Sequence, residues 1–237
     1  MAIYACSDLH GCMWAWNEIK NRITENDWLY FIGDAIDRGP DGWQILKEAL
    51  DMSNCTFMLG NHEQMMLDAY KHDFKGHEFN VWYHNGNIPT CNAIWAEEPQ
   101  EVKRIMDIIA TLPAYIEIIN NSGDIIKICH SGDYSIDDEK DWNWKEDLIW
   151  DRSHFYNNRW WDKDNVYIIH GHTPIPYLVE EIRWLDDTIP EEIEPGSFWY
   201  CHGHKIDIDC GTFFTNTACL LNLETFDEDV FQFENKE

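Results

Sequence analysis

Asp8, His10, Asp34, Asp37, Arg38, Asn61, His62, His130, Arg152 and His172 supply carboxylate, amide, imidazole and guanidinium groups, and most stand in a polar loop directly after an apolar run. None of the loops adds a thiolate to the set. Oxygen and imidazole donors without sulfur suit borderline to hard divalent metals such as manganese, iron or zinc. A single ion would not use them all. Two ions roughly 3.5–4 Å apart and bridged by one carboxylate clamp both the attacking and the leaving oxygen of a phosphoryl transfer. The inventory therefore points to dinuclear phosphoester chemistry.

Short strands must position these residues. Ile3 to Cys6 runs into Ser7-Asp8-Leu9-His10-Gly11, Leu29 to Ile32 into Gly33-Asp34-Ala35-Ile36-Asp37-Arg38-Gly39, and Thr56 to Leu59 into Gly60-Asn61-His62-Glu63. Each loop is followed by a helix-compatible stretch, which predicts βαβ units with parallel strands whose carboxyl ends collect the ligands. Val102, Ile105, Met106 and Ile109 recur at helical spacing between Pro99 and Leu112. Ala114 to Ile119 and Ile125 to Cys129 read as a hairpin ending in His130-Ser131-Gly132, and Val166 to Ile169 enters His170-Gly171-His172-Thr173-Pro174. Ile206 to Asp209 and Ala218 to Leu223 suggest a closing antiparallel stretch.

Composition narrows the class further. The 237 residues carry 17 basic and 44 acidic side chains, a net charge of −27 that argues against a nucleic-acid surface. An aromatic content of 14% excludes an acidic disordered chain. A single domain over residues 1–237 is the expectation at this length. The eight cysteines include no CxxC pair and several lie in apolar runs, which reads as buried free thiols in a reducing compartment. With no leader-like opening and no apolar run near the ~20 residues of a membrane span, a cytoplasmic protein without membrane contact is expected.

Read in order, the loops are SDLHG, GDAIDRG, GNHE, HSG and GHT. This series resembles the metallo-dependent, calcineurin-like phosphoprotein phosphatases, whose blocks are GD-x-HG, GD-x-x-DRG, GNHE, a later His beside small residues, and GHT. GNHEQMMLDA, LIWDR and HGHTP are most like the phage-lambda-type and bacterial serine/threonine phosphatases, and the likeness spans roughly residues 3 to 223. Each block alone is a weak motif; five in order, each after a strand, are specific. Ser7 departs from the family's usual Gly, and its hydroxyl is expected to fit the turn and touch a ligand's hydrogen bonding.

The resemblance implies an α+β, four-layer αββα sandwich with mixed sheets and metal loops at strand carboxyl ends. It further implies that Asp8 and His10 bind a first metal, that Asp34 bridges, and that Asn61, His130 and His172 complete a second. The attacking group would be a hydroxide shared by two ions, manganese by preference and iron or zinc as alternatives. His62 would protonate the leaving oxygen, Asp37 would orient His62, and Arg38 and Arg152 would hold phosphoryl oxygens. Taken alone, Asp34 or Asn61 would read as an ordinary helix cap or turn residue, and it is the ordered set that reverses this. His170 and Glu63 read as supports for ligands. Cys201-His202-Gly203-His204 imitates a metal cluster but lies outside the blocks and reads as surface, while Cys6 and Cys129 read as core.

The implied substrates are phosphoserine and phosphothreonine in proteins, with phosphotyrosine as an extension of the same chemistry. Symmetrical dinucleoside-tetraphosphate hydrolysis, or another nucleotide phosphoesterase activity, is the alternative. The related tetraphosphatases usually lack the Asp of DRG and carry Asp after GNH, whereas this chain has Asp37 and Glu63. Two acidic, Trp-rich segments have no motif to anchor them. Asp133 to Glu146 reads equally as a cover or as a solvated face, and Arg183 to Phe198 as a substrate cover.

Overall fold

A computed structural model describes residues 1–132, 144–152, 165–184, 189 and 191–233, with the side chains of residues 144–146 left undescribed. The first acidic segment therefore lies largely outside the described residues, as do residues 185–188 and 190 of the second.

In chain order the strands are β1 (Ile3–Cys6), β2 (Trp28–Phe31), β3 (Cys55–Phe57), β4 (Tyr115–Ile119), β5 (Ile125–Cys129), β6 (Val166–His170), β7 (Phe198–Tyr200), β8 (Lys205–Asp207), β9 (Thr217–Asn222) and β10 (Glu228–Gln232). The helices are α1 (Met13–Arg22), α2 (Gly42–Asp51), α3 (Asn61–Lys71), α4 (Gly76–His84), α5 (Ile88–Ala96), α6 (Pro99–Ile109), α7 (Trp144–Trp150), α8 (Ile175–Ile182) and α9 (Thr212–Thr215). One sheet has the order β10-β9-β1-β2-β3 and the other β4-β5-β6-β8-β7. In the first, β1, β2 and β3 are parallel; in the second, β5, β6 and β8 are parallel. The result is the expected α+β arrangement of two mixed sheets flanked by helices.

Period-two alternation explains how the sheets pack. On β9, Ala218 and Leu220 join the helices of one core, while Cys219 and Leu221 face a second core shared with Ile126, Ile128 and Ile206 of the other sheet. The first core takes Trp16 and Ile19 of α1, Ile45 and Leu46 of α2, Met65 and Met66 of α3 and Ile105 and Ile109 of α6. The apolar spacing of α6 thus buries the stripe read from the sequence. The Met-Met-Leu run of α3 is packing. Cys6 and Cys129 are fully buried, and all eight cysteines are free.

One sequence expectation is corrected. β8 and β9 do not form a closing antiparallel pair: β8 runs parallel to β6 in the second sheet, and β9 lies antiparallel to β1 and β10 in the first. Apolar alternation fixes which faces of a strand are buried but not which neighbour it meets, and nine residues between the two strands, including α9, allow the chain to change sheets. Among the described residues, no helix is long and apolar enough to cross a membrane.

Candidate active site

The carboxyl ends of the parallel strands of both sheets meet at one place. Asp8 and His10 follow β1, Asp34, Asp37 and Arg38 follow β2, Asn61 and His62 begin α3 after β3, His130 follows β5 and His172 follows β6. The turns are tight: Asp8, His10, Asp34, Asp37, Arg38 and His172 all have φ between 41° and 72°, a region that costs a non-glycine residue of order 1–3 kcal/mol. The close approach also demands small neighbours. A Cβ on Gly60 would overlap the Asp34 carboxylate and amide, and one on Gly171 would overlap Asp8 and Ser7.

Asp34 lies between two groups of ligand atoms. Its Oδ2 is 3.7 Å from His10 Nε2 and 3.8 Å from His62 Nε2, while its Oδ1 is 3.4 Å from His130 Nε2. On the His10 side, Asp8 Oδ1 stands 4.0 Å from His10 Nε2 and is buried with no hydrogen-bond partner among the described residues. On the other side, Asn61 Oδ1 is 2.9 Å from His130 Nε2 and 3.0 Å from His172 Nδ1. His10 and His130 each donate Nδ1–H to a backbone carbonyl, of Ile36 at 2.8 Å and Ile32 at 2.7 Å, which leaves Nε2 as a lone-pair donor. Two groups of donors sharing one bridging carboxylate, together with an orphaned buried carboxylate oxygen, fit a pair of divalent cations.

Electrostatics point the same way. Burial, with some help from Asp34, pushes Asp8 up to about 7. Burial also pushes Asp34 up, but His130 and His62 outweigh it and hold that carboxyl well below its ordinary value. His130 would be lowered by burial alone, yet Asp34 and Asp8 raise it to about 10. His10 and His172, by contrast, are held well below the ordinary imidazole value, chiefly by burial, so both stay neutral.

Around this centre lie the other residues read from the sequence. His62 Nδ1 is 2.6 Å from Asp37 Oδ2, and its Nε2 is 3.4 Å from Arg38 Nη2. Burial lowers His62, but Asp34 and Asp37 outweigh it and leave the imidazole above its ordinary value. Arg152 is exposed and donates Nε–H to Thr173 Oγ1 at 3.0 Å, next to His172. Glu63, fully buried, accepts from the amides of Asp34 at 2.8 Å and Ala35 at 3.0 Å, and so fixes the loop that carries Asp34. His170 donates to the Gly171 carbonyl and accepts from the Tyr200 hydroxyl; burial lowers it to about 3, which keeps it neutral. Ser7 donates its hydroxyl to Asp8 Oδ2. His202 and His204 stay apart from the centre, in the turn between β7 and β8, where His204 stacks on Tyr167.

Sequence reasoning missed two groups. Trp82 Nε1 and Thr90 Oγ1 both donate to the Asp37 carboxylate at 2.7 Å, from 45 and 53 residues along the chain. No motif marks them; only α4 and α5, absent from the sequence reading, bring them in. Asp207 and Asp209, at the end of β8, are also buried beside the centre. Burial and the Asp209 charge push Asp207 well above the carboxylate range, and its Oδ2 has no partner among the described residues.

An acid whose folded value is raised gives up stability as pH rises above its unfolded value near 4. Asp207→Asn should therefore raise the thermal midpoint at pH 7.5, with a gain that shrinks towards pH 4. A pH-independent difference between the two melting curves would contradict this assignment.

With this geometry in view, comparison with known proteins is decisive at the level of family. The family model for calcineurin-like phosphoesterases matches residues 1–219. The chain belongs to this family. It is similar to serine/threonine-protein phosphatase 1 of Salmonella typhimurium, with 29% identity over 73% of this chain and 79% of that protein. A shorter match, 32% identity over 30% of this chain and 27% of the other, joins it to the symmetrical bis(5'-nucleosyl)-tetraphosphatase of Erwinia tasmaniensis. In fold it is similar to a protein serine/threonine phosphatase from Saccharomyces cerevisiae, with a TM-score of 0.57 at 14% identity, covering 100% of this chain and 81% of that one. The chain is thus a phosphoesterase with candidate metal-binding groups of His and Asp, which agrees with the chemistry read from its loops.

Proposed function

We propose that this phosphoesterase is a phosphomonoesterase acting on phosphoserine and phosphothreonine in proteins, and on phosphotyrosine by the same chemistry. The observation that carries the reading is the Asp37–His62 pair. A buried carboxylate held by Trp82 and Thr90 grips Nδ1 of His62 and turns Nε2 towards Asp34 and Arg38. A site built only to store cations has no use for an oriented imidazole that carries a proton.

Asp8, His10 and Asp34 would hold one divalent ion, and Asp34, Asn61, His130 and His172 the other, with manganese first among the candidates. When bound, such a pair acidifies water and neutralises phosphoryl charge. The remaining work falls to the chain. Arg38 and Arg152 donate charge-assisted hydrogen bonds to the phosphoryl oxygens. As water adds to phosphorus and the ester P–O bond breaks, His62 passes its Nε2 proton to the leaving oxygen, and Asp37 stabilises the charge His62 carries beforehand. In a chain of net charge −27, attraction for a dianionic group must be this local.

The match over 73% of the chain to a protein phosphatase, together with the retained Asp37 and Glu63, supports this reading over tetraphosphate hydrolysis, for which the match covers 30%. A manganese-loaded activity panel tests it directly. Phosphopeptides and para-nitrophenyl phosphate should be hydrolysed with kcat/KM well above that for dinucleoside tetraphosphates and cyclic nucleotides. The reverse order would assign the chain to nucleotide chemistry.

A further inference from the structure

Beside Arg38 lies a cleft that these steps touch only through that residue. Arg38 forms one wall: its Nη2 is 3.4 Å from His62 Nε2, and its guanidinium carbon is 5.4 Å from the centre of the Phe214 ring. Phe214 meets Phe213 edge to face at 5.3 Å. With Ile88, His84 and Gly86 these residues bound a cleft of about 480 Å³. Phe214 is 58% exposed, Ile88 54% and Phe213 40%, so three large apolar side chains stand in water around a cleft whose Arg38 wall reaches His62. Their placement is built in, since α9 is pinned at both ends by left-handed residues, Gly211 and Asn216. Among the described residues no carboxylate lines the cleft, although the chain has 44 acidic side chains. An anionic ester approaching this way meets little repulsion.

Resting on the phosphatase reading, we propose that this cleft receives the aromatic ring of an aryl phosphate, the phenol ring of phosphotyrosine, and that Phe213, Phe214 and Ile88 thereby favour aryl over alkyl phosphomonoesters. The leaving oxygen must come within hydrogen-bond reach of His62 Nε2. In an aryl phosphate the ring is bonded directly to that oxygen, so it begins one bond from the acid and extends past Arg38 towards Phe214. A phosphoserine side chain offers only a methylene there, and the base of a dinucleoside tetraphosphate is separated from the central phosphates by a ribose and a further phosphate. The ring gains edge-to-face contact with the phenylalanines and the face of the guanidinium.

The test uses metal-loaded full-length protein and two non-hydrolysable probes, phenylphosphonate and methylphosphonate, titrated by calorimetry. The parent should bind phenylphosphonate several-fold more tightly. Phe214→Ala should cut that preference by ~3–10-fold, and Phe214→Tyr should retain it. Ile88→Ala, expected to act in the same direction, serves as the second variant should Phe214→Ala fail to fold. In turnover, the ratio of kcat/KM for a phosphotyrosine peptide over a phosphoserine peptide should fall with the phosphonate preference. Equal affinity of the parent for the two phosphonates would overturn the proposal, as would a Phe214→Ala effect confined to dinucleoside tetraphosphates. A parent that prefers phenylphosphonate through Phe214 but hydrolyses no phosphomonoester would refute the phosphatase reading and leave the aryl cleft standing.

Discussion

His62→Asn should lower kcat on a phosphoserine peptide by on the order of 10²–10⁴-fold while the bound manganese stays at the parental level. The size follows from general acid catalysis: an alkoxide leaves poorly unless protonated, and the His62 Nε2 proton is the one that Asp37, through Nδ1 at 2.6 Å, keeps in place. Asparagine can keep a polar contact with Asp37 but has no titratable nitrogen. The loss should shrink for para-nitrophenyl phosphate, whose leaving group needs little protonation. Elemental analysis separates this role from a ligand role, which matters because His62 Nε2 lies 3.8 Å from Asp34 Oδ2. Loss of one equivalent of metal in the variant, or an equal loss of rate on both substrates, would place His62 among the ligands instead.

Asp34→Asn should weaken both metal sites together. Its two oxygens face different groups, Oδ2 towards His10 and Oδ1 towards His130, so the substitution would remove one negative charge from between the two proposed dications. Unit charges 4 Å apart interact by about 4 kcal/mol at an effective dielectric of 20, so the drop should exceed the ~10–100-fold typical of removing an outer-shell partner. Calorimetric titration of manganese into the parent should show two equivalents per chain. The variant should show two weakened steps, and one intact step beside one lost step would deny Asp34 the bridging position. The fold should survive, because Glu63 still holds the Asp34 and Ala35 amides from the other side.

Much of this site was legible in the sequence because its chemistry is local. Asp8-x-His10, Asp34-x-x-Asp37-Arg38 and Asn61-His62-Glu63 each sit in one turn after one strand, so residue type and spacing suffice to propose a donor set for two divalent ions, while the bridge and the acid come from the family resemblance that the ordered loops carry. The parallel strands β1, β2 and β3 were readable for the same reason, since short apolar runs separated by helices admit few other arrangements.

What tertiary structure alone decided is long-range. β8 and β9 were placed in different sheets, which depends on packing partners and not on the alternation within either strand. Trp82 and Thr90 reached Asp37 from helices with no motif, because a carboxylate taken out of water recruits whatever donors the fold brings near it. Nothing in the sequence singles out Phe213 and Phe214, and it is the turn at Gly211 that sets the Phe214 ring beside Arg38. Local geometry is encoded residue by residue along the chain, whereas which distant side chains share a cavity is fixed only when two sheets and their helices bury their apolar faces together.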